Sequence, residues 1–367
     1  MSAPGMMGAA GAQGAPTGSG GSDLAAGAAA GAGRPVAVVA FGGNALLEAG
    51  DVGTTAEQKR RAEEAAQWLA GVVEGGHEMV VVHGNGPQVG QVLIQMEEAA
   101  TKIPPATLDV AVAQTQGAIG FLLETALRNR LAEVGLARAA AGRREVAIVL
   151  SLVVVDRDDP GFERPSKPIG PFFSRYRAEL LEREHGWAMV HVSGRGWRKV
   201  VPSPRPLEVL GVPSVRALLA RGDVVIAGGG GGIPVIRRPD GALEGIEAVI
   251  DKDRTAALLA RDLGADLLIN LTGVSEVRSG YGTARERPLP RLSVAEARRL
   301  LAAGEFPPGS MGPKIESSVE FVEATGNKVV ITDIDTLPAA LEGEGGTVIE
   351  PGRRSRECAG RTGRRRR

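Results

Sequence analysis

Between residues 35 and 341 the chain alternates short continuous apolar runs with longer segments whose apolar residues recur every three to four positions. Runs of the first kind read as strands buried on both faces, and segments of the second kind as amphipathic helices. The predicted strands are 35–41 (PVAVVAF), 79–83, 146–155, 224–227, 266–271 (DLLINL) and 328–332. The predicted helices are 55–73, VGQVLIQMEEA after residue 88, 109–134, 212–220, RTAALLARDLG as far as residue 263, 294–303, the stretch after FPPGSMGPK, and 334–341. Strands alternating with helices in this way imply a mostly parallel sheet with helices on both faces, an α/β fold of three α/β/α layers.

One stretch breaks the alternation. Residues 156–173 (DRDDPGFERPSKPIGPFF) are dense in proline and charge, and 191–206 (HVSGRGWRKVVPSPRP) return from that excursion. The segment 156–206 is expected to form a lid or small subdomain inserted in a domain spanning 35–350. Residues 1–34 are almost entirely Gly, Ala, Ser, Pro and Met, with too little apolar bulk to offset the entropy of ordering them, and 351–367 are arginine-rich. Both ends are expected to be disordered tails.

Composition narrows the class. The chain has 367 residues and is 43% apolar, enough for a sizeable core. No run of eighteen apolar residues appears, and the N-terminus has no basic segment followed by a leucine-rich one, so a soluble cytoplasmic protein is expected. The single cysteine, Cys358, excludes an intrachain disulfide or a thiolate metal cluster. The formal charge of zero hides an asymmetry: residues 352–367 carry eight arginines and one glutamate, leaving the remainder at −7. An acidic body argues against a nucleic-acid-binding core. The tail could touch RNA, DNA or acidic partners, and a solvated end is the expectation.

Candidate chemistry concentrates in 224–253 (VVIAGGGGGIPVIRRPDGALEGIEAVIDKD). A strand runs into Gly228, Gly229, Gly230, Gly231 and Gly232, whose backbone amides can approach a phosphate closely. The stretch ends on Asp251, Lys252 and Asp253, a lysine held between carboxylates, where Asp253 could equally cap the following helix. Glycine loops also follow the strands at Gly42 and Gly84, and loops leaving the carboxyl ends of parallel strands gather in one crevice. Three such loops suggest a polyphosphate and a second small anion. No G-x-x-x-x-G-K-[ST] or H-R-D loop is present, so positive charge must come from elsewhere. Lys167 (PSKPIG), Lys252 (IDKD) and Lys314 (GPKIE) are the candidates. No histidine is placed to act as a base, and His83 reads as a packing residue. Phosphoryl transfer needs no base when the acceptor is already an anion.

Seven segments carry a resemblance: GGNAL (42–46), HGNGPQVG (83–90), DPGFERPSKPIGPF (159–172), RKVVPSPRP (198–206), GGGGIPV (229–235), EAVIDKD (247–253) and GSMGPKIE (309–316). Together they resemble the amino acid kinase superfamily and, within it, the carbamate kinases. The resemblance implies reversible transfer between ATP and carbamate, giving ADP and carbamoyl phosphate with Mg²⁺, often run toward ATP in arginine and carbamoyl phosphate catabolism. It implies a homodimer and no metal held by the protein alone. Gly42, Gly43, Asn44, Gly84, Asn85 and Gly86 would hold carbamate and the transferring group. Lys167, Lys252 and Lys314 would offset transition-state charge, with Asp253 orienting the lysines. Gly228 to Gly232, Thr272, Val274, Met311 and Pro313 would line the nucleotide site, within 212–350. Three positions depart from the pattern. Ser166 replaces a usual threonine, the glycine run is one residue longer, and Asn270 interrupts an aliphatic strand, which bears on nucleotide preference more than on the reaction. A kinase for another small acid, a dinucleotide-dependent oxidoreductase using G-x-G-x-x-x-G at Gly84, and a non-catalytic effector-binding relative are the alternatives.

Overall fold

A computed structural model describes residues 33–42, 52–139, 142–307 and 311–352. The first strand, Val36–Phe41, is buried almost throughout, and the helix α1 (Thr55–Glu74) follows. A capping box starts α1: the Glu57 amide donates to Thr54 Oγ1, and the Thr54 amide donates to the Glu57 carboxylate at 2.8 Å. After the strand Glu78–His83 come α2 (Gly86–Ala99) and α3 (Leu108–Glu133). Short α4 (Pro160–Glu163) and α5 (Arg175–His185) lie in the excursion. The second half contributes α6 (Val212–Ala220), α7 (Lys252–Leu263), α8 (Val294–Ala302), α9 (Met311–Thr325) and α10 (Leu337–Leu341).

Eight strands form the central sheet, in the spatial order 291–293, 347–350, 328–332, 267–271, 36–41, 78–83, 224–227, 146–149. Every neighbouring pair is parallel except 328–332 with 347–350. The strands are buried on both faces, and successive residues divide between two cores. Val38, Ala40, Val80, Val82, Leu268 and Ile331 face the layer of α6 to α9. Ala37, Val39, Phe41, Val81, Ile269 and Val330 face α1, α3 and α10. The three-layer α/β/α architecture and its mostly parallel sheet are therefore as the periodicity predicts. From Arg34 onward the described residues belong to one compact unit. Helix α3 has the length and apolarity to cross a bilayer, but 56% of its most apolar stretch is buried inside this unit.

Two elements differ from the sequence reading. The run 146–155 is two strands, Val146–Val149 in the central sheet and Leu152–Val155 in a separate four-stranded sheet with 206–209, 233–237 and 243–245. Ser151 makes the break. It is buried and exchanges two hydrogen bonds with the Gln116 side chain, so the backbone leaves one ladder and enters another. Beyond the predicted last helix, Thr347–Glu350 adds a strand antiparallel to Lys328–Thr332, which a four-residue run of mixed polarity does not announce.

The excursion forms a three-stranded antiparallel sheet, 167–173, 196–201 and 189–192, with α5 following its first strand. It docks on α2 through two glycines. A Cβ at Gly90 would lie 2.0 Å from Gly170 Cα, a distance that only two residues without side chains permit. His185 of α5 reaches Glu97 of α2 at 2.5 Å and makes a second tie.

This contact predicts opposite outcomes for two Gly-to-Ala changes. Gly90→Ala must push the subdomain off α2 and is expected to destabilise the fold by about 1–3 kcal/mol in urea unfolding. Gly71→Ala in α1, where a Cβ meets nothing within 4 Å, is expected to stabilise it by about 0.5–1 kcal/mol. Equal effects would contradict the close approach.

Candidate active site

The carboxyl ends of four adjacent parallel strands, at Phe41, His83, Ala227 and Leu271, line one edge of the central sheet. Gly42 follows the first, and its neighbours Gly43 and Asn44 lie outside the described residues. The Gly84 amide donates to Phe41 O at 2.8 Å and draws the second loop against the first. Asn85 then opens α2. It is 2% exposed, and its side chain donates to Thr115 Oγ1 of α3 at 2.9 Å rather than capping the helix. Gly86, the first residue of α2, faces Pro168: a Cβ there would lie 3.7 Å from that residue's carbonyl oxygen.

The glycine run at 228–232 is buried, and its lack of side chains serves packing. A Cβ on Gly229 would lie 2.2 Å from His83 Nε2, and one on Gly230 would lie 2.4 Å from Asn85 Nδ2. On Gly231 it would lie 2.2 Å from the Ile250 carbonyl oxygen. The run is thus wedged between the second loop and the residue that precedes Asp251. Three of its amides are engaged inside the protein, which limits the reading of the whole loop as an anion cradle. Gly228 donates to Ser151 Oγ at 2.8 Å, and Gly231 and Gly232 close the turn on the carbonyls of Gly228 and Gly229. His83 is a packing residue, as the sequence suggests. It is enclosed, its Nδ1 lies 3.1 Å from Gly84 O, and burial pushes its pKa down to about 4, leaving a neutral ring.

The three lysines converge at the N-terminus of α7. Asp251 is the helix cap, accepting the Asp253 amide on Oδ1 at 2.9 Å, so the capping role falls to Asp251 and not to Asp253. Its other oxygen binds Lys167 Nζ, carried in by the excursion. Asp253 takes the other two. Lys252 Nζ lies 2.6 Å from Asp253 Oδ1, and Lys314 Nζ lies 3.0 and 2.8 Å from Oδ1 and Oδ2.

Burial raises the stakes of these pairs. The side chains of Lys252, Lys314 and Asp253 are 9%, 12% and 7% exposed. Burial pushes Lys252 down to about 8, against the opposing pull of Asp253 and with the help of the Lys314 charge. For Lys314, burial works the same way but is outweighed by Asp253, and its pKa ends above the ordinary value. Burial alone would raise Asp251, yet Lys167 and Lys252 hold its carboxyl well below the usual range. Asp253 is likewise held down by Lys252 and Lys314 against the effect of burial. Three ammonium groups against two carboxylates leave a buried excess of positive charge, suited to an anion.

The other residues named from sequence for the nucleotide follow the strand Leu267–Leu271 or open α9. Thr272 follows the strand Leu267–Leu271 and donates its amide to Thr332 O at 2.9 Å. Val274 is partly buried beyond it, and Met311 and Pro313 occupy the first turn of α9, one turn around Lys314. Sequence reasoning left Asp251 out of the site set, although its place beside Lys252 was a signal. It also passed over Thr115, Gln116 and Ser151, three buried polar residues that hold the second loop and the glycine run in place. Polar residues at helical positions of an apolar face, as Thr115 and Gln116 are in α3, could have pointed to them.

Comparison with known proteins agrees with this layout. The sequence model of the amino acid kinase family matches residues 35–333. The carbamate kinase of Pyrococcus furiosus is 40% identical over 316 residues, 86% of this chain and 98% of that protein. The carbamate kinase of Giardia lamblia bound to citric acid superposes with a TM-score of 0.81 at 35% identity, covering 87% of this chain and 99% of that one. The same enzyme bound to AMP-PNP gives 0.77 at 36% identity, over 87% of this chain and 99% of that one. The chain therefore belongs to the amino acid kinase family and, within it, groups with the carbamate kinases.

Proposed function

We propose that this chain is a phosphotransferase that moves a phosphoryl group reversibly between ATP and carbamate, giving ADP and carbamoyl phosphate. The observation that carries the reading is the cluster of Lys167, Lys252 and Lys314 around Asp251 and Asp253, at the sheet edge where the loops meet. A carbamate oxygen attacks the γ-phosphorus while the bond from phosphorus to the bridging oxygen of ADP breaks. The acceptor is an anion and needs no base, which fits a site whose histidine is buried and neutral. The protein's contribution is positioning and fixed positive charge.

The residues divide the work. Gly42, Gly84, Asn85 and Gly86, with Gly43 and Asn44, hold carbamate and the transferring group, and the N-terminus of α2 favours negative charge there. Lys252 and Lys314 face the charge that spreads over the phosphoryl oxygens, and Lys167 reaches the same place from the excursion, which acts as a lid over the acceptor. Thr272, Val274, Met311 and Pro313, with the glycine run, border the nucleotide, whose kind is suggested by AMP-PNP in the Giardia relative. Among the described residues no three His, Cys, Asp or Glu side chains gather as a metal cage, and both site carboxylates are engaged by lysines. That arrangement suits a Mg²⁺ that arrives on the nucleotide phosphates and, when bound, neutralises their charge. The reading extends to a homodimeric enzyme of the cytoplasm, with the acceptor bound by the N-terminal part and the nucleotide by 212–350.

The direct test is ATP formation from ADP, Mg²⁺ and carbamoyl phosphate. Robust turnover is expected from the wild type. Lys252→Ala and Lys314→Ala are each expected to lower kcat by about 10²- to 10³-fold while the far-UV circular dichroism stays unchanged. Full activity in either variant would remove the lysine from the mechanism.

Lys252 also sets a pH dependence. Only its charged form can offset transition-state charge, and in the free protein it loses its proton near pH 8. The value of kcat/KM is therefore expected to fall about tenfold per pH unit above 8, whereas bound phosphates raise the pKa and move the fall in kcat to higher pH. Unfolding has the opposite sign for this group. Its folded pKa lies below the ordinary 10.5, so between pH 8 and 10.5 the unfolded chain binds more protons and this group's contribution to stability rises with pH. A kcat/KM that stays flat to pH 9.5 would contradict the assignment.

Asp253→Asn removes the carboxylate shared by two buried ammonium groups. An uncompensated buried charge is expected to cost about 3–5 kcal/mol in urea unfolding at pH 7. A loss below 1 kcal/mol would mean that the lysines find other partners.

A further inference from the structure

Asn270 is the polar interruption in an otherwise aliphatic strand, and both of its polar side-chain atoms lie inside the protein. The residue is 0% exposed, on the face of Leu267–Leu271 shared with Leu268, between its register partners Ala40 and Ile331. A side chain enclosed in this way does not reach a bound nucleotide, so the sequence-based link to nucleotide preference has no contact to act through. Its partner lies elsewhere. Asn270 Nδ2 donates to Ser318 Oγ of α9 at 3.0 Å, and the Ser318 hydroxyl donates to the Lys314 carbonyl oxygen at 2.5 Å.

The direction of this relay is forced. A serine hydroxyl has one proton, and here it goes to the Lys314 carbonyl, so Ser318 Oγ can only accept from Asn270. The amide is thereby fixed with nitrogen toward α9, and its oxygen is left buried without a partner. An unpaired buried carbonyl destabilises a fold, and leucine would fill the strand position without that penalty. A serine that bonds back four residues along its own helix tends to bend it, and fixing its Oγ from outside fixes that bend. The turn so held carries Lys314.

Resting on the phosphoryl-transfer reading above, we propose that Asn270 is a positioning residue for Lys314: through Ser318 it ties the first turn of α9 to the central sheet and sets where the ammonium stands against Asp253. The residue touches no substrate, and its effect belongs to kcat. In the ATP-forming assay, Asn270→Leu is expected to lower kcat about tenfold, leave KM for ADP within about twofold, and keep or raise the melting temperature, since the unpaired oxygen is gone. Ser318→Ala is expected to match it, and the double variant to be no slower than either single one, because both break the same relay. Wild-type kcat in Asn270→Leu, multiplicative losses in the double variant, or a loss that follows KM would each overturn the inference. A wild type that forms no ATP would instead defeat the reaction assignment. Urea unfolding of Asn270→Leu, Lys314→Ala and their double variant then decides the inference: non-additive effects support it, and strictly additive ones overturn it.

Discussion

One carboxylate shared by two buried lysines is the constraint on which the site depends. Asp253 lies within 3.0 Å of both Lys252 and Lys314, so two like charges are held close together in a region from which water is largely excluded. At an effective dielectric near 20, a pair of unit charges 4 Å apart interacts by about 4 kcal/mol, attraction or repulsion alike. The opposite displacements of the two lysines follow. Lys314 sees both oxygens of Asp253 and is held charged, while Lys252 sees one and bears more of the repulsion. Buried ion pairs of this kind seldom stabilise a fold better than apolar packing would. The excess of positive charge in the cluster is of the kind that a bound anion would balance.

Contacts at the sheet edge hold that cluster against the loop that follows His83. The glycine run lets the His83–Asn85 loop and the Ile250 carbonyl come close to one backbone from opposite sides, so the loop after one strand and the cap of α7 are set at a fixed separation. Helix α3 supports the same junction from below, with Thr115 holding Asn85 and Gln116 holding Ser151, whose hydroxyl takes the Gly228 amide. These contacts join backbone groups and buried polar side chains. Preorganised charge is effective in catalysis because nothing must reorient as the transition state forms.

The parts that were legible in the sequence are those governed by local physics. Buried parallel strands show as continuous β-branched runs, and glycine loops after them mark the carboxyl edge, which is why the fold, the loops at Gly84 and Gly228 and the three lysines could be read directly. What was not legible depends on partners far apart along the chain. Lys167 and Asp251 are separated by 84 positions, and nothing local tells which carboxylate receives that lysine. The split of 146–155 between two sheets depends on Gln116, and apolar periodicity carries no sign of a side-chain bond to the backbone. The glycine run also has a packing role that its sequence does not announce. A residue without a Cβ is equally suited to a phosphate's approach and to a neighbour's, and the closeness of His83, Asn85 and Ile250 depends on residues far from the run in sequence.

The lysines reach the cluster from three separately built elements. Lys252 begins α7, Lys314 sits in the first turn of α9, and Lys167 opens the first strand of the inserted sheet. Had all three come from one segment, their mutual repulsion would fall on a single local conformation. Spread over three elements, the repulsion is opposed by contacts remote from it: the Gly90–Gly170 approach and the His185–Glu97 pair for the inserted sheet, the Ser318–Asn270 bond for α9, and Thr255 to the Gly231 carbonyl at 2.7 Å for α7. The fold thus holds a charge arrangement that no single segment of this chain could hold by itself.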